Sequence, residues 1–382
     1  MKTVDARTEH DSLVELLTIG PARDASLSPA YQDALKRAEQ PEALSLSDVV
    51  ALLATENAAE MQALLSLADQ VRQRYVGDEI YLRGLIEFSN YCRRHCLYCG
   101  LRAANRKVKR YRMSVEEMVE SAKRAYALGF RTIVLQSGED PWYTVDRMAQ
   151  IVRGIKACAD VAVTLSIGER PREEYAALRE AGADRYLLRH ETANPELYAA
   201  LHPGSGFEER LRCLRWLREL GYQIGAGCIV GLPGQTLSML AQDILLLRDL
   251  EVDMAGIGPF IPNPETPLGG GQTGTVDMTL KMVALARIVT RDALIPATTA
   301  LATVDPLGRE KAFAAGANVA MPNVTPLEYR EDYRIYPDKA CLTDDAAECQ
   351  GCLRLRIESV GRRIGAGYGH SPRHLALSGQ RD

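Results

Sequence analysis

Three cysteines within eight residues are the first groups in this chain that could do chemistry. Cys92, Cys96 and Cys99 stand in the run Asn90-Tyr-Cys-Arg-Arg-His-Cys-Leu-Tyr-Cys-Gly100, spaced C-x3-C-x2-C. Nine cysteines in 382 residues would give that spacing by chance in about 0.005 of chains, so coincidence explains it poorly. Clustered thiolates select zinc or an iron–sulfur cluster, both soft enough to prefer sulfur. Structural zinc wants four closed ligands, and the one nearby fourth candidate, His95, is wedged between Arg94 and Cys96. A 4Fe-4S cluster on three cysteines leaves one iron open for a substrate or cofactor, and the spacing favours that reading over zinc. A second group, Cys341-x7-Cys349-x2-Cys352, could hold a 2Fe-2S or 4Fe-4S cluster with an outside ligand, or zinc with water. Cys158, Cys213 and Cys228 are singletons, which as buried residues usually serve as small hydrophobes.

The composition fits one soluble globular protein, with 46% hydrophobic and 25% charged residues and a net charge of −4, and excludes disorder and collagen-like sequence. No basic field offers itself to a phosphate backbone, so nucleic acid is not an expected partner. Residues 1–30 are interrupted by charges and lack an apolar run of signal-peptide length. No stretch of eighteen uncharged apolar residues follows, so no membrane span is expected. The expected compartment is the cytoplasm, where clustered cysteines mean metal or redox chemistry and seldom disulfides. The expected state is a monomer.

Elements able to position these cysteines follow from the hydrophobic rhythm. A helical pattern runs from about Ser45 to Tyr75 with Ser47 as N-cap, after a less committed beginning. Beyond Gly77, short β-branched runs alternate with amphipathic stretches, the mark of βα units. Eight strands are expected: Ile80–Phe88, Thr132–Gln136, Val161–Ser166, Arg185–Arg189, Ile224–Val230, Met254–Ile257, Leu294–Thr299 and Val319–Met321. Several intervening helices end in glycine, as at Gly129, Gly182, Gly221 and Gly316. The expected fold is therefore α/β: a complete (β/α)8 TIM-type barrel with an N-terminal helical cap and a cysteine-containing C-terminal extension, a doubly wound open sheet being the alternative. The expected divisions are 1–76, 77–325 and 326–382, with the last packed on the barrel. In such a barrel the triad falls on the loop after the first strand, at the face that carries active sites.

One strand looks wrong for an apolar lumen. Side chains alternate faces along a strand, which puts Arg185, Leu187, Arg189 and Glu191 together. Charges pointing inward must be paired or bound to a ligand; charges on a solvated rim need neither.

The triad, with Tyr98 just before its last cysteine, resembles the radical S-adenosylmethionine (SAM) superfamily. Ile86-Glu-Phe-Ser-Asn-Tyr-Cys92, Val134-Leu-Gln-Ser-Gly-Glu-Asp-Pro141, Arg185-Tyr-Leu-Leu-Arg-His-Glu-Thr-Ala-Asn194, Val230-Gly-Leu-Pro-Gly-Gln-Thr236 and Ile257-Gly-Pro-Phe-Ile-Pro262 are similar to the HydE family of FeFe-hydrogenase maturases, from about Tyr75 to Gly365. The resemblance implies a 4Fe-4S cluster with an open iron, held by Cys92, Cys96 and Cys99, that chelates SAM. Reductive cleavage of SAM would then give methionine and a 5′-deoxyadenosyl radical. It implies SAM contacts from Tyr98, Glu191, Arg210, Ile229 and Met254, and from Ser137, Gly138 and Glu139, where Ser137 replaces the usual glycine. For a small-molecule or organometallic anionic substrate it implies Thr164, Arg185, Arg189, Thr298, Thr299, Met321 and Tyr336. It implies an auxiliary 2Fe-2S or 4Fe-4S cluster on Cys341, Cys349 and Cys352, a low-potential ferredoxin or flavodoxin as electron donor, and the maturases HydF and HydG as partners in assembling the diiron subcluster.

Gly225-Ala-Gly227-Cys-Ile-Val-Gly231 is no dinucleotide fingerprint: the spacing is wrong and it lies on the fifth strand. Biotin synthase and methylornithine synthase share the barrel and triad. The C-terminal cysteines argue against the latter, and the lack of cysteine clusters on inner strands argues against the former. A non-catalytic metal-binding electron carrier is the alternative of another class.

Overall fold

The computed structural model describes residues 27–343 and 345–379, so part of the expected 1–76 segment and the last three residues lie outside the described residues. Runs of β-branched and apolar residues bounded by turns form short parallel strands, most of them buried on both faces as parallel sheets demand. The strands are β1 (Glu79–Leu82), β2 (Gly84–Ser89), β3 (Thr132–Ser137), β4 (Ala162–Ser166), β5 (Arg185–Leu187), β6 (Gln223–Ala226), β7 (Ile229–Val230), β8 (Met254–Ala255), β9 (Gly258–Pro259), β10 (Val319–Ala320) and β11 (Arg363–Ile364). A six-stranded parallel sheet runs β2-β3-β4-β5-β6-β8. β1 pairs with β10 on one side and β11 on the other, and β7 pairs with β9. Isolated parallel bridges join Met254 to Leu294, Pro296 to Val319 and Leu85 to Asn323.

Two expected strands are divided and a third is shortened. Ile80–Phe88 becomes β1 and β2, which exchange neighbours at Arg83. Ile224–Val230 is interrupted at Gly227, whose φ of +155° and closeness to the Gly256 carbonyl, 1.9 Å from where a Cβ would stand, admit no side chain. Met254–Ile257 shortens to β8, with β9 following. The strand expected at Leu294–Thr299 is reduced to bridges at Leu294 and Pro296. Pro296 has no N–H for a ladder, and Thr298 accepts from Leu301 N at 3.3 Å to cap a helix, Thr299–Val304.

Most expected helices form. Ser114 and Glu117 build a capping box at the start of Val115–Ala127, and Val145–Cys158, Arg172–Glu180, Phe207–Glu219 and Leu237–Asp249 follow the expected pattern. The single helix expected from Ser45 to Tyr75 is two, Leu46–Ala54 and Ala58–Val76. Ser45, not Ser47, caps the first, and Asn57 caps the second. Between them Thr55 donates its hydroxyl to Glu60 at 2.5 Å. A further helix, Pro29–Ala38, occupies the segment that the pattern left uncommitted. This helical preface packs on Leu237–Asp249 and Val276–Thr290, which is why the second of these is apolar almost all round and buried from Thr279 to Thr290.

The C-terminal extension returns to the opposite end of the strands. After helix Ala346–Ser359, β11 joins β1, and residues 368–371 cross the first residues of β3, β5 and β6. Thr132 Oγ1 donates to Tyr368 O at 2.7 Å, and Gln223 Oε1 accepts from Ser371 N at 3.0 Å. Arg185 spends its guanidinium on Thr132 Oγ1, the carbonyls of Tyr368 and Gly369, and His370 Nδ1, each at 2.9 Å. Burial and Arg185 together press the His370 pKa down to about 3, which keeps its ring neutral and able to accept.

Replacing Arg185 with Leu removes the strap's shared donor, leaving the Tyr368 carbonyl to Thr132 Oγ1 and the Gly369 carbonyl to a longer bond from Arg83, at a cost on the order of 2–4 kcal/mol. Denaturant unfolding should show the loss as a lower midpoint; an unchanged midpoint would contradict this account of the strap.

Candidate functional site

The triad sits on a loop that runs from Asn90 to Tyr111 without helix or strand, so its shape depends on other bonds. Buried Asn90 donates to the carbonyls of Lys109 and Asp332, both at 2.7 Å, and accepts from Tyr111 N at 2.8 Å. Arg110 gathers the carbonyls of Leu101, Arg102 and Asn105 at 2.9–3.0 Å, and that of Asn90 as well. Gly100 N donates to Ile335 O at 2.8 Å, in a place where a Cβ would stand 2.0 Å from the Arg334 carbonyl. Neither Asn90 nor Arg110 was singled out from the sequence, although both flank the cysteines.

The three thiols gather at one cavity of about 370 Å³, at the carboxyl ends of the strands. Cys92 Sγ accepts from Arg94 N at 3.4 Å and from Glu139 N at 3.3 Å. Burial raises all three thiol pKa values, Cys96 to about 12, and Cys92 adds its repulsion to Cys96. Such a set becomes thiolate only with a cation to share. Among the described residues the one group of His, Cys, Asp or Glu ligand atoms lying within 4.8 Å of one another is His190, Cys228 and Asp243.

The expected SAM contacts converge on the same cavity. Ser137 ends β3 with Gly138 and Glu139 directly after it, and Gly138 leaves no space for a Cβ, which would fall 2.7 Å from the Cys92 Cβ. Tyr98 lines it and bonds His202 Nε2 through its hydroxyl at 2.8 Å. Ile229 and Met254 also line it, with the Met254 sulfur accepting from Arg83 at 3.0 Å. Glu191 lines it from a backbone at φ +66°, a conformation that costs a non-glycine residue about 1–3 kcal/mol. Its Oε2 is buried without a hydrogen bond, 3.4 Å from Arg189 Nε. Arg210 donates to the Arg189 carbonyl at 2.7 Å and pairs with Glu169 at 2.6 Å.

Glu169, which the sequence reading missed, links these groups. It pairs with both Arg94 and Arg210, while Arg94 also meets Glu139 at 2.5 Å and Glu139 accepts from Glu169 N at 3.1 Å. The available signal was its position three residues after β4 ends, at the face where a barrel keeps its chemistry. Glu87 and Lys339 form a second buried pair on the cavity wall, with Asn323 on the other Glu87 oxygen at 2.8 Å. Nothing in the sequence marked Lys339, because it comes from a segment 252 residues away.

Of the expected substrate contacts, Arg189, Thr298, Thr299, Met321 and Tyr336 line the cavity. Arg185 and Thr164 do not. Arg185 is buried at the opposite end under the C-terminal strap, and Thr164 lies beside it in the paired strand. The face shared by Arg185, Leu187, Arg189 and Glu191 thus spans the depth of the fold, with its two ends in different surroundings. The second cysteine group lies outside the strands. Cys349 and Cys352 share a face of Ala346–Ser359, Cys341 stands 3.6 Å from Arg309, and Arg356, beside Cys352, pairs with Glu310 at 2.6 Å. Both ends of the group therefore rest against helix Gly308–Ala314.

Comparison with known proteins agrees with this geometry. The profile of the radical SAM superfamily matches residues 86–247. The chain is 55% identical over 308 residues, 81% of its length and 88% of the relative's, to the [FeFe] hydrogenase maturase subunit HydE of Thermotoga maritima. The chain belongs to the HydE family of radical SAM enzymes. The α/β fold is shared with methylornithine synthase (PylB), at TM-score 0.77 and 25% identity over 91% of this chain and 99% of that one. It is shared also with the maturase HydG from Carboxydothermus hydrogenoformans, at TM-score 0.74 and 22% identity over 92% and 82%. Membership in the HydE family implies a 4Fe-4S cluster and SAM, and the three thiols gathered at one cavity, the unsatisfied Glu191 oxygen and the absence of a side chain at Gly138 fit both groups.

Replacing Glu169 with Ala should release Arg94 and Arg210 together and weaken SAM binding about tenfold or more. Anaerobic calorimetry measures this, and wild-type affinity would contradict the linking role.

Proposed function

We propose that this protein cleaves SAM reductively at a cluster on Cys92, Cys96 and Cys99 and uses the result in assembling the diiron subcluster of an FeFe-hydrogenase. The observation that carries the reading is the triad opening onto a cavity whose wall holds Glu139, Glu191 and Arg210. When bound, the cluster supplies one electron, and SAM supplies methionine and a 5′-deoxyadenosyl radical.

The chain's own residues bind and orient. Arg210, held by Glu169 and the Arg189 carbonyl, offers its remaining N–H groups to the SAM carboxylate. Ser137, Gly138 and Glu139 meet the SAM amino group, and Glu191, with an oxygen to spare, is a further contact. Tyr98, Ile229 and Met254 complete that side. Arg189, Thr298, Thr299, Met321 and Tyr336 face an anionic, cysteine-ligated iron carbonyl–cyanide substrate, while Leu187, Met254 and Met321 give the cavity an apolar stretch of wall that limits competing water.

A closed eight-stranded barrel protects this chemistry. Its support is the run of parallel pairings through Met254–Leu294, Pro296–Val319, Tyr81–Val319 and Leu85–Asn323, the seventh strand being only bridges. Within the expected 1–76 division, the described helices from Pro29 to Val76 pack on the unit 77–325, and the extension 326–382 carries a peripheral auxiliary 2Fe-2S or 4Fe-4S cluster on Cys341, Cys349 and Cys352. A low-potential ferredoxin or flavodoxin supplies the electron, with HydF and HydG as assembly partners, in the cytoplasm; no helix among the described residues is long and apolar enough to cross a membrane.

In reduced, reconstituted protein, Cys96→Ala should abolish release of 5′-deoxyadenosine from SAM, and retained release would refute the triad assignment. Cys349→Ala should keep at least half the wild-type rate; complete loss would contradict the peripheral role of the second group.

A further inference from the structure

His190, Asp243 and Cys228 form a fully buried trio behind the cavity wall. His190 Nδ1 accepts from Gly227 N at 3.3 Å, so the ring proton belongs on Nε2, which donates to Asp243 Oδ1 at 3.2 Å. Both ring nitrogens are thereby committed, which makes the trio a hydrogen-bonded post and not an ion site. Asp243 reaches in from helix Leu237–Asp249 and also accepts from Ala193 N. Burial raises its carboxyl pKa and the bond from His190 opposes that rise.

This post grips both sides of the strained residue. Glu191 N donates to Gly227 O at 2.9 Å, Ile229 N donates to Glu191 O at 3.0 Å, and Thr192 N donates to His190 O at 2.8 Å. Gly227 has no room to shift toward Gly256. A left-handed non-glycine residue persists only where its surroundings over-determine it, and His190 is the side chain tying the Glu191 turn to both Gly227 and the outer helix.

We propose that His190 and Asp243 are positioning residues that hold Glu191 in its left-handed conformation and so aim its carboxylate at the ligand bound beside the cysteine triad. The identity of that ligand as SAM rests on the function proposed above.

The test is a double-mutant cycle on the anaerobic, cluster-loaded protein, with SAM affinity read by calorimetry. His190→Gln keeps a donor for Asp243 and loses the acceptor for Gly227 N. It should weaken SAM binding about as much as Glu191→Ala does, tenfold or more, with the melting temperature lowered only slightly. The double variant should bind no more than twofold worse than Glu191→Ala alone, because His190 acts through Glu191. Multiplying losses, or wild-type affinity in His190→Gln, would overturn the inference. Asp243→Asn gives the same reading should His190→Gln fail to fold. Crystal structures of the wild type and the variant supply an arm independent of SAM. Loss of the positive φ at Glu191 in the variant supports the inference, and its retention in both overturns it, whereas failure of the wild type to bind SAM refutes the proposed function instead.

Discussion

Three thiolates cannot share a half-buried place unless the chain around them is fixed and a cation makes their ionisation worthwhile. Burial holds each thiol protonated, and each thiolate opposes the next. The loop that bears them has no helix or strand to stiffen it, so side chains take over: Asn90 and Arg110 collect its carbonyls, and Ile335 receives its Gly100 N–H. A loop of this length without secondary structure of its own is usually functional, and here the clamps keep the cysteines facing the cavity.

The second constraint is charge in the wall of a cavity whose remaining lining is largely apolar. Glu139, Glu169, Arg94 and Arg210 form one connected chain of ion pairs, and Glu87 with Lys339 forms another. Buried ions that satisfy one another in this way are costly as a source of stability, but they leave defined valences. Arg210 retains N–H groups beyond its two bonds, and Glu191 retains an oxygen. The polar ligand expected at the triad finds these positions already oriented, so little reorganisation opposes its binding.

Much of this was legible in the sequence where chemistry and pattern coincide. The triad was readable from its own spacing and the alternating strands and helices from local periodicity, whereas Ser137, Glu139 and Glu191 were reached only through the resemblance of their segments to a known family. What escaped depends on contacts distant in sequence. Glu169 matters through arginines 75 and 41 residues away, and Lys339 through a carboxylate 252 residues away. Arg185 shared a strand face with Arg189 and was expected beside it. Position along a strand also sets depth, and Arg185 ended under a C-terminal strap that no periodicity announces. The strand expected at Leu294–Thr299 failed on local chemistry, since Pro296 removes a donor and Thr298 caps a helix.

The central claim is that one iron at Cys92, Cys96 and Cys99 stays open to SAM. Anaerobic electron paramagnetic resonance of the reduced, reconstituted protein, recorded with and without SAM, tests it most directly. The account predicts a reduced 4Fe-4S signal that changes when SAM is added and that is lost with the triad cysteines. A triad signal indifferent to SAM, or no iron signal from the triad, would contradict it.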